Sequence, residues 1–307
     1  MDFGHTLVTQ LLNVTETSLL CYRFVTTFSW EYFIQLGMRI WHVNCISGTR
    51  KKVVMPQESK FSLKNLSKTF GSGERKTIAL DNIDLEIEDG EFLCLLGESG
   101  CGKSTLLKIM AGFEKETSGE ILFDGKPITG PGHERGFVFQ QYSLLPWLNV
   151  RKNISLGQRI RGCESKESVK ELIELFGLTG FEKHYPSQLS GGMSQRVAIA
   201  RTLANDSKVL MLDEPFGALD AFTRIRLQDE LINLWRKNNL TTVFVTHDID
   251  EAVFLATRIV VLTPRPGRIA RVFNVGLNRP RNRSSPEFYR LRAMISEEFA
   301  GLASQPA

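Results

Sequence analysis

The sequence predicts an α/β fold, and three observations carry that prediction. Short apolar runs with the length of buried strands recur, among them FLCLL (92–96), VLMLD (209–213) and RIVVL (258–262). Helical stretches such as SQRVAIARTLA and FTRIRLQDELINLWRK alternate with them. Between FLCLL and a helix start, LLKIMAG, lies GESGCGKST (97–105), which has the G-x-x-x-x-G-K-[ST] spacing of a phosphate-binding loop.

Residues 1–57 are rich in β-branched and aromatic types, but neither helix nor strand periodicity persists there. The segment lacks the basic start and clean apolar stretch of a secretory signal. GTRKK and PQESK resemble a junction. The segment therefore reads as a disordered extension, a partner-binding arm or translated sequence upstream of the true start. The last is favoured, with Met55 as a natural start. From Phe61, FSLKNLSKTF predicts a strand. Ile83, Leu85 and Ile87 alternate as a half-buried strand ending at the turn EDGE. ILFDGKPI predicts a strand and turn, while GFVFQ and TTVFVTHD predict further strands. From about 141 to 195 such strands are missing. Val169, Leu172, Ile173 and Phe176 fall at helical spacing, which predicts a small helical subdomain whose stripe packs in the core. Near the end, Ser285-Pro286 suits a helix start. Phe288, Leu291, Ile295 and Phe299 then make the apolar stripe of a terminal helix (286–307) docked on the body.

The 307 residues allow one or two domains, and 42% hydrophobic with 23% charged residues is ordinary for a soluble globular protein. No apolar run approaches the roughly 20 residues that span a bilayer, so membrane association is expected through a partner or a surface. The five cysteines form no CxxC pair, which argues against a disulfide framework or a zinc site. From Arg265 onward eight arginines face three glutamates, so the tail is basic and the rest nearly neutral. These arginines are dispersed without interleaved aromatics, which favours a solvated face over a nucleic-acid or lipid surface.

The chemistry of the loop follows from its residues. Gly97, Gly100 and Gly102 let backbone N–H groups turn toward a phosphate, and the following helix adds its positive end. Lys103 can reach the outer phosphates and Ser104 can ligate Mg²⁺. VLMLDE places Asp213 at the carboxyl end of an apolar strand, where a carboxylate can hold Mg²⁺ through a water. Glu214 can polarise a water aimed at the γ-phosphate. Pro215 is expected to turn the chain so that both carboxylates face the site.

LSGGMSQR (189–196) resembles the signature motif of ATP-binding-cassette (ABC) ATPases. The rest of that family's set follows in order from about Phe61 to Ile269. The resemblance implies a P-loop ABC ATPase core (58–285) with an antiparallel β subdomain and the inserted helical subdomain. It implies that Phe70 stacks on adenine, although an aromatic at a strand end also suits a core. Gly97, Glu98, Ser99, Gly100, Cys101, Gly102, Lys103, Ser104 and Thr105 correspond to the Walker A loop. Gln140 corresponds to the glutamine that contacts Mg²⁺ and the attacking water, which places it with Ser104 and Asp213 around the metal. Asp213 and Glu214 match Walker B and the catalytic glutamate, Asp220 the D-loop aspartate, and His247 the switch histidine. Two subunits would pack head to tail, with ATP between the Walker A loop of one and Ser190, Gly191 and Gly192 of the other. Glu98 and Met193 depart from common family usage, while Cys101 is common in importer subunits of the family and gives an oxidation or alkylation liability.

LLPWLNV after Gln140, LTPRPGRI and the ending RPRNRSSPEFYRLRAMI resemble the ATPase subunits of nitrate, sulfonate and taurine importers. That implies ATP and Mg²⁺ as cofactors, a homodimer of ATPase subunits, integral membrane permease subunits and, indirectly, a solute-binding protein. It places the chain peripherally on the cytoplasmic face of the cell (inner) membrane, with no nucleic acid. Leu144, Leu145 and Trp147 either form a contact patch for the membrane partner or pack inside the insert. The alternative function is an ABC ATPase acting without a membrane partner. Such proteins usually show two cassettes in tandem, where this sequence carries one, or a coiled-coil arm, for which the spacing from Lys103 to Leu189 leaves no room.

Overall fold

The computed structural model describes residues 59–303 apart from Ser72 and Ala218. The expectations for residues 1–57 lie outside the described residues. In chain order come β1 (Phe61–Phe70), β2 (Thr77–Ile87), β3 (Phe92–Leu96), α1 (Lys103–Ala111), β4 (Ser118–Phe123), β5 (Lys126–Pro127) and β6 (Arg135–Val138). Three helices follow: α2 (Val150–Ile154), α3 (Leu156–Ile160) and α4 (Lys166–Leu175). Then come α5 (Gly191–Leu203), β7 (Val209–Asp213), α6 (Ala221–Asn238), β8 (Thr241–Thr246), α7 (Ile249–Leu255), β9 (Arg258–Leu262), β10 (Ile269–Asn274) and α8 (Pro286–Ala303).

Two sheets form. One is a four-stranded antiparallel sheet in the order β2-β1-β4-β5; the other has six strands in the order β10-β9-β3-β8-β7-β6. The larger sheet is parallel except for β10, which runs antiparallel to β9. Its strands read as continuous apolar runs because both faces are covered. The period of two sends Leu93, Leu95, Met211, Val243 and Val245 into one core with α1 and the antiparallel sheet. Phe92, Cys94, Leu96, Leu210, Leu212 and Phe244 enter a second core, shared with residues of α5, α6, α7 and α8. Burying each such side chain contributes about 1.5–3 kcal/mol, which anchors the strands that carry the site.

Among the described residues, the segment between β6 and β7 contains no strand. Val169, Ile173 and Phe176 are buried in the second core and Leu172 packs partly against it. Ser165 caps α4 by accepting a hydrogen bond from the Ser168 N–H at 3.1 Å. Fully buried Asn153 ties down the preceding loop, accepting from the Leu145 N–H at 2.9 Å and donating to the Leu148 carbonyl at 2.8 Å. The apolar loop divides: Leu144 packs on the core, whereas Trp147 is 69% exposed.

The terminal helix docks as expected. Ser285 accepts from the Phe288 N–H at 3.2 Å, Phe288 and Ile295 are buried, and Leu291 and Phe299 pack against the core. The solvated reading of the basic tail is overturned for three of its arginines. Arg281 donates to the carbonyls of Val253 (2.8 Å), Phe254 (3.0 Å) and Ala256 (2.7 Å) at the end of α7. Arg279 donates to Phe254 and Leu255, and the Arg283 guanidinium lies 3.5 Å from the Phe254 ring centroid. A helix end leaves carbonyls without intrahelical partners, and Arg279 and Arg281 supply the donors. Burial, reinforced by Arg279, pushes the Arg281 guanidinium down to about 9, still protonated at neutral pH.

Candidate nucleotide site

The parallel strands β3, β8 and β7 lie side by side, with Leu96 opposite Thr246 and Asp213 opposite Val245. Their carboxyl ends therefore deliver the Gly97–Gly102 loop, His247 and the Asp213-Glu214 pair to one edge of the sheet, where ligands bind in open α/β sheets.

Gly102 opens α1 in the left-handed region (φ 108°), and an added Cβ would stand 2.7 Å from Leu80. Only glycine fits both constraints. The first N–H groups of α1 have no intrahelical acceptor and make an anion-binding end. Lys103 is 4% exposed, and its Nζ donates to the Gly97 carbonyl (2.7 Å) and the Glu98 carbonyl (2.8 Å). Ser104 Oγ donates to Asp213 Oδ1 at 2.7 Å. Burial raises the Asp213 carboxyl above its ordinary range, the neighbouring Glu214 adds to this, and the Ser104 hydrogen bond opposes it.

Glu214 has φ 44°, a left-handed conformation that is rare outside glycine. It accepts a hydrogen bond from Gln140 Nε2 at 3.3 Å on one oxygen, and its other oxygen lies 3.5 Å from His247 Nδ1. His247 is flanked by pinned neighbours. Thr246 Oγ1 donates to Glu251 Oε2 (2.7 Å) and accepts from the Asp248 N–H (3.0 Å). Glu251 is buried, also accepts from Gln228 Nε2 (3.2 Å), and has a carboxyl raised chiefly by that burial.

A cleft of about 510 Å³ is lined by Phe70, Ser99, Gly100, Gly102, Lys103, Ser104, Thr105, Gln140 and Glu214. Phe70 is 40% exposed, with Lys68 Nζ 4.7 Å from its ring centroid, so it is a wall residue and not a core one. Thr77, Ala79 and Arg265 line the same cleft and were not expected from the sequence. The TPRPGR wording was visible, but nothing local indicates that Arg265 folds back 165 residues to the loop.

Ser190, Gly191 and Gly192 are not among the residues lining that cleft. Ser190 caps α5 by accepting from the Met193 N–H at 3.3 Å, and Ser190 and Gly191 face solvent. A Cβ on Gly192 would meet Thr223 at 2.8 Å, so this glycine also permits the close approach of α5 to α6. Asp220 caps α6 through the Thr223 N–H at 3.0 Å, which lowers its carboxyl below the ordinary range. Cys101 is 1% exposed, and burial pushes its thiol pKa up. A buried, protonated thiol is a poor nucleophile, so the expected oxidation and alkylation liability is not supported.

A profile of ABC transporters matches residues 80–217. The chain is 52% identical to an ABC transporter ATP-binding protein of Methanocaldococcus jannaschii over 77% of this chain and 90% of that protein. It is 49% identical to the aliphatic sulfonates import ATP-binding protein of Bacillus thuringiensis subsp. konkukian, covering 78% and 95% respectively. It is 45% identical to the nitrate import ATP-binding protein of Synechocystis, covering 77% and 94%. Among solved structures, a dimeric ATP-binding cassette in a post-hydrolysis state with ADP and Pi aligns with TM-score 0.64 and 36% identity, covering 71% of this chain and all of that one. With that likeness added to the phosphate loop, the paired carboxylates and the histidine gathered at one sheet edge, the chain belongs to the ATP-binding, ATP-hydrolysing subunits of ABC transporters.

Proposed function

We propose that this subunit drives a membrane importer for nitrate-, sulfonate- or taurine-like solutes, working as a head-to-tail homodimer against integral permease subunits on the cytoplasmic face of the cell membrane. A solute-binding protein would deliver cargo to the permease. The names of the similar sulfonate and nitrate import proteins support the solute class, and the dimeric ATP-binding cassette supports the pairing. No described helix is long and apolar enough to cross a membrane, which suits a subunit that docks on others.

The observation that carries the reading is Glu214 held between Gln140 and His247 beside the phosphate loop. Gly97–Thr105 binds the phosphates, Lys103 leaves its loop carbonyls for the outer phosphate oxygens, and Phe70 stacks on the base. A hydroxyl, a carboxylate and an amide oxygen from Ser104, Asp213 and Gln140 form a hard donor set that suits Mg²⁺, which when bound neutralises phosphate charge. Glu214 orients the attacking water and takes its proton, and His247 holds the carboxylate and the γ-phosphate in register. Ser190, Gly191 and Gly192 complete the partner subunit's site with the N-terminus of α5, and Asp220 stands beside them at the start of α6. Phosphate charge then holds the dimer, and its loss releases it.

Glu214→Gln tests the assignment. It removes the water-orienting carboxylate at constant size, so kcat is expected to fall by about a hundredfold or more, with MgATP affinity nearly unchanged. The variant should accumulate as an ATP-held dimer in size-exclusion chromatography. Hydrolysis at a near-normal rate would remove Glu214 from this role.

A further inference from the structure

The hairpin joining β9 to β10 lies against the phosphate loop through two separate contacts. Arg265 donates from Nε (3.3 Å) and Nη2 (3.1 Å) to the Gly100 carbonyl. Behind it, a Cβ on Gly267 would fall 2.1 Å from the Cys101 carbonyl oxygen, so only the bare backbone of glycine fits there. The hairpin is itself fixed. Gly267 donates its N–H to the Ala79 carbonyl at 3.0 Å and accepts from the Asp81 N–H at 3.0 Å, and Arg268 Nε donates to Asp81 Oδ2 at 2.9 Å. Thr263 Oγ1 donates to the Pro266 carbonyl at 2.8 Å across the turn.

The loop's carbonyls need these partners for a physical reason. A loop that turns its N–H groups toward an anion must turn its carbonyls the other way. Lys103 Nζ serves the Gly97 and Glu98 carbonyls. The peptide unit between Gly100 and Cys101 is pinned at both ends: its carbonyl accepts from Arg265, and its N–H donates to the Glu98 carbonyl at 3.3 Å. When Lys103 turns to a nucleotide, the Gly97 carbonyl loses this donor and the Glu98 carbonyl keeps the Cys101 N–H. Arg265 then remains as the charged side chain on the outward face of the loop.

We propose that Arg265 is a positioning residue for nucleotide binding, holding the phosphate loop in its anion-binding conformation through the Gly100 carbonyl. It acts through the loop and not on the reacting phosphate. This rests on the nucleotide-site reading above.

The test uses the full chain and fluorescent (methylanthraniloyl) ATP and ADP. Arg265→Ala should weaken both nucleotides by the same factor, about fivefold to tenfold, the size expected when a charge-assisted hydrogen bond at a partly open surface is lost. The KM for ATP should rise by that factor while kcat falls less than twofold. Arg265→Lys, which keeps a cation in reach of the carbonyl, should recover binding to within about twofold of the parent. Thermal unfolding without nucleotide should be unchanged in both variants. Parent-like binding by Arg265→Ala, a loss confined to ATP, or a loss explained by a lower melting temperature would overturn the proposal. Failure of the parent chain to bind either nucleotide would instead overturn the site reading.

Discussion

Glu214 owes its aim to its own backbone. Expectation credited Pro215 with turning the chain, but Glu214 itself adopts φ 44°, one residue past the end of β7. For a non-glycine residue that conformation costs on the order of 1 kcal/mol, and it swings the carboxylate off the strand's alternation toward Gln140 and His247. Glu251 is the second residue whose position explains its chemistry. Its folded-state carboxyl lies above the ordinary 4.5 because burial disfavours the charge. The folded chain therefore holds that proton more tightly than the unfolded chain. The resulting stability is full below 4.5 and is lost as pH rises through the folded value. Urea unfolding without nucleotide at a series of pH values should show this decline, and Glu251→Gln should flatten it. The phosphate-loop, Walker B and histidine positions were legible because their function imposes fixed spacing along the chain. Glu251 and Arg265 were not, since their partners are set by folding and leave no local pattern.

At the scale of elements, legibility followed length and periodicity. α5, α6 and α8 are 13 to 18 residues long and carry enough turns to declare a face. α7 has seven residues, five of them buried, and so offers no polar face to reveal its period. β10 follows TPRPG, whose prolines read as loop, and it lies at the sheet edge with only one paired side. The partly buried role of Arg279 and Arg281 was hidden for a related reason: their acceptors are the open carbonyls of α7, which no sequence pattern announces. Arg281→Ala should cost about 2–3 kcal/mol, because three carbonyls lose one donor group inside the protein. The lost stability should appear as a lower urea midpoint, with Arg281→Lys intermediate. An unchanged midpoint would mean that water replaces the guanidinium without penalty.

For the whole molecule, every residue proposed for the site lies between Phe70 and Arg265, within the described part of the chain. We propose that the cassette is self-sufficient from about residue 58. Removing residues 1–57 should leave soluble yield and ATP hydrolysis within about twofold of the full chain, since no residue proposed for the site lies there. A large loss of soluble protein would show that the first segment covers part of the cassette. The sheet order has a further consequence, in time instead of space. β3, which launches the phosphate loop, ends at Leu96, yet its neighbours are β8 from Thr241 and β9 from Arg258. A nascent chain carries the finished sequence of the loop through the making of about 140 more residues before its strand gains its first neighbour. At about 5–20 residues per second that interval is on the order of ten seconds. Throughout it the most apolar strand of the nucleotide site is unpaired on both edges. Ribosome-bound fragments ending before β8 should therefore fail to bind nucleotide, because β3 has neither of its neighbours until β8 is made.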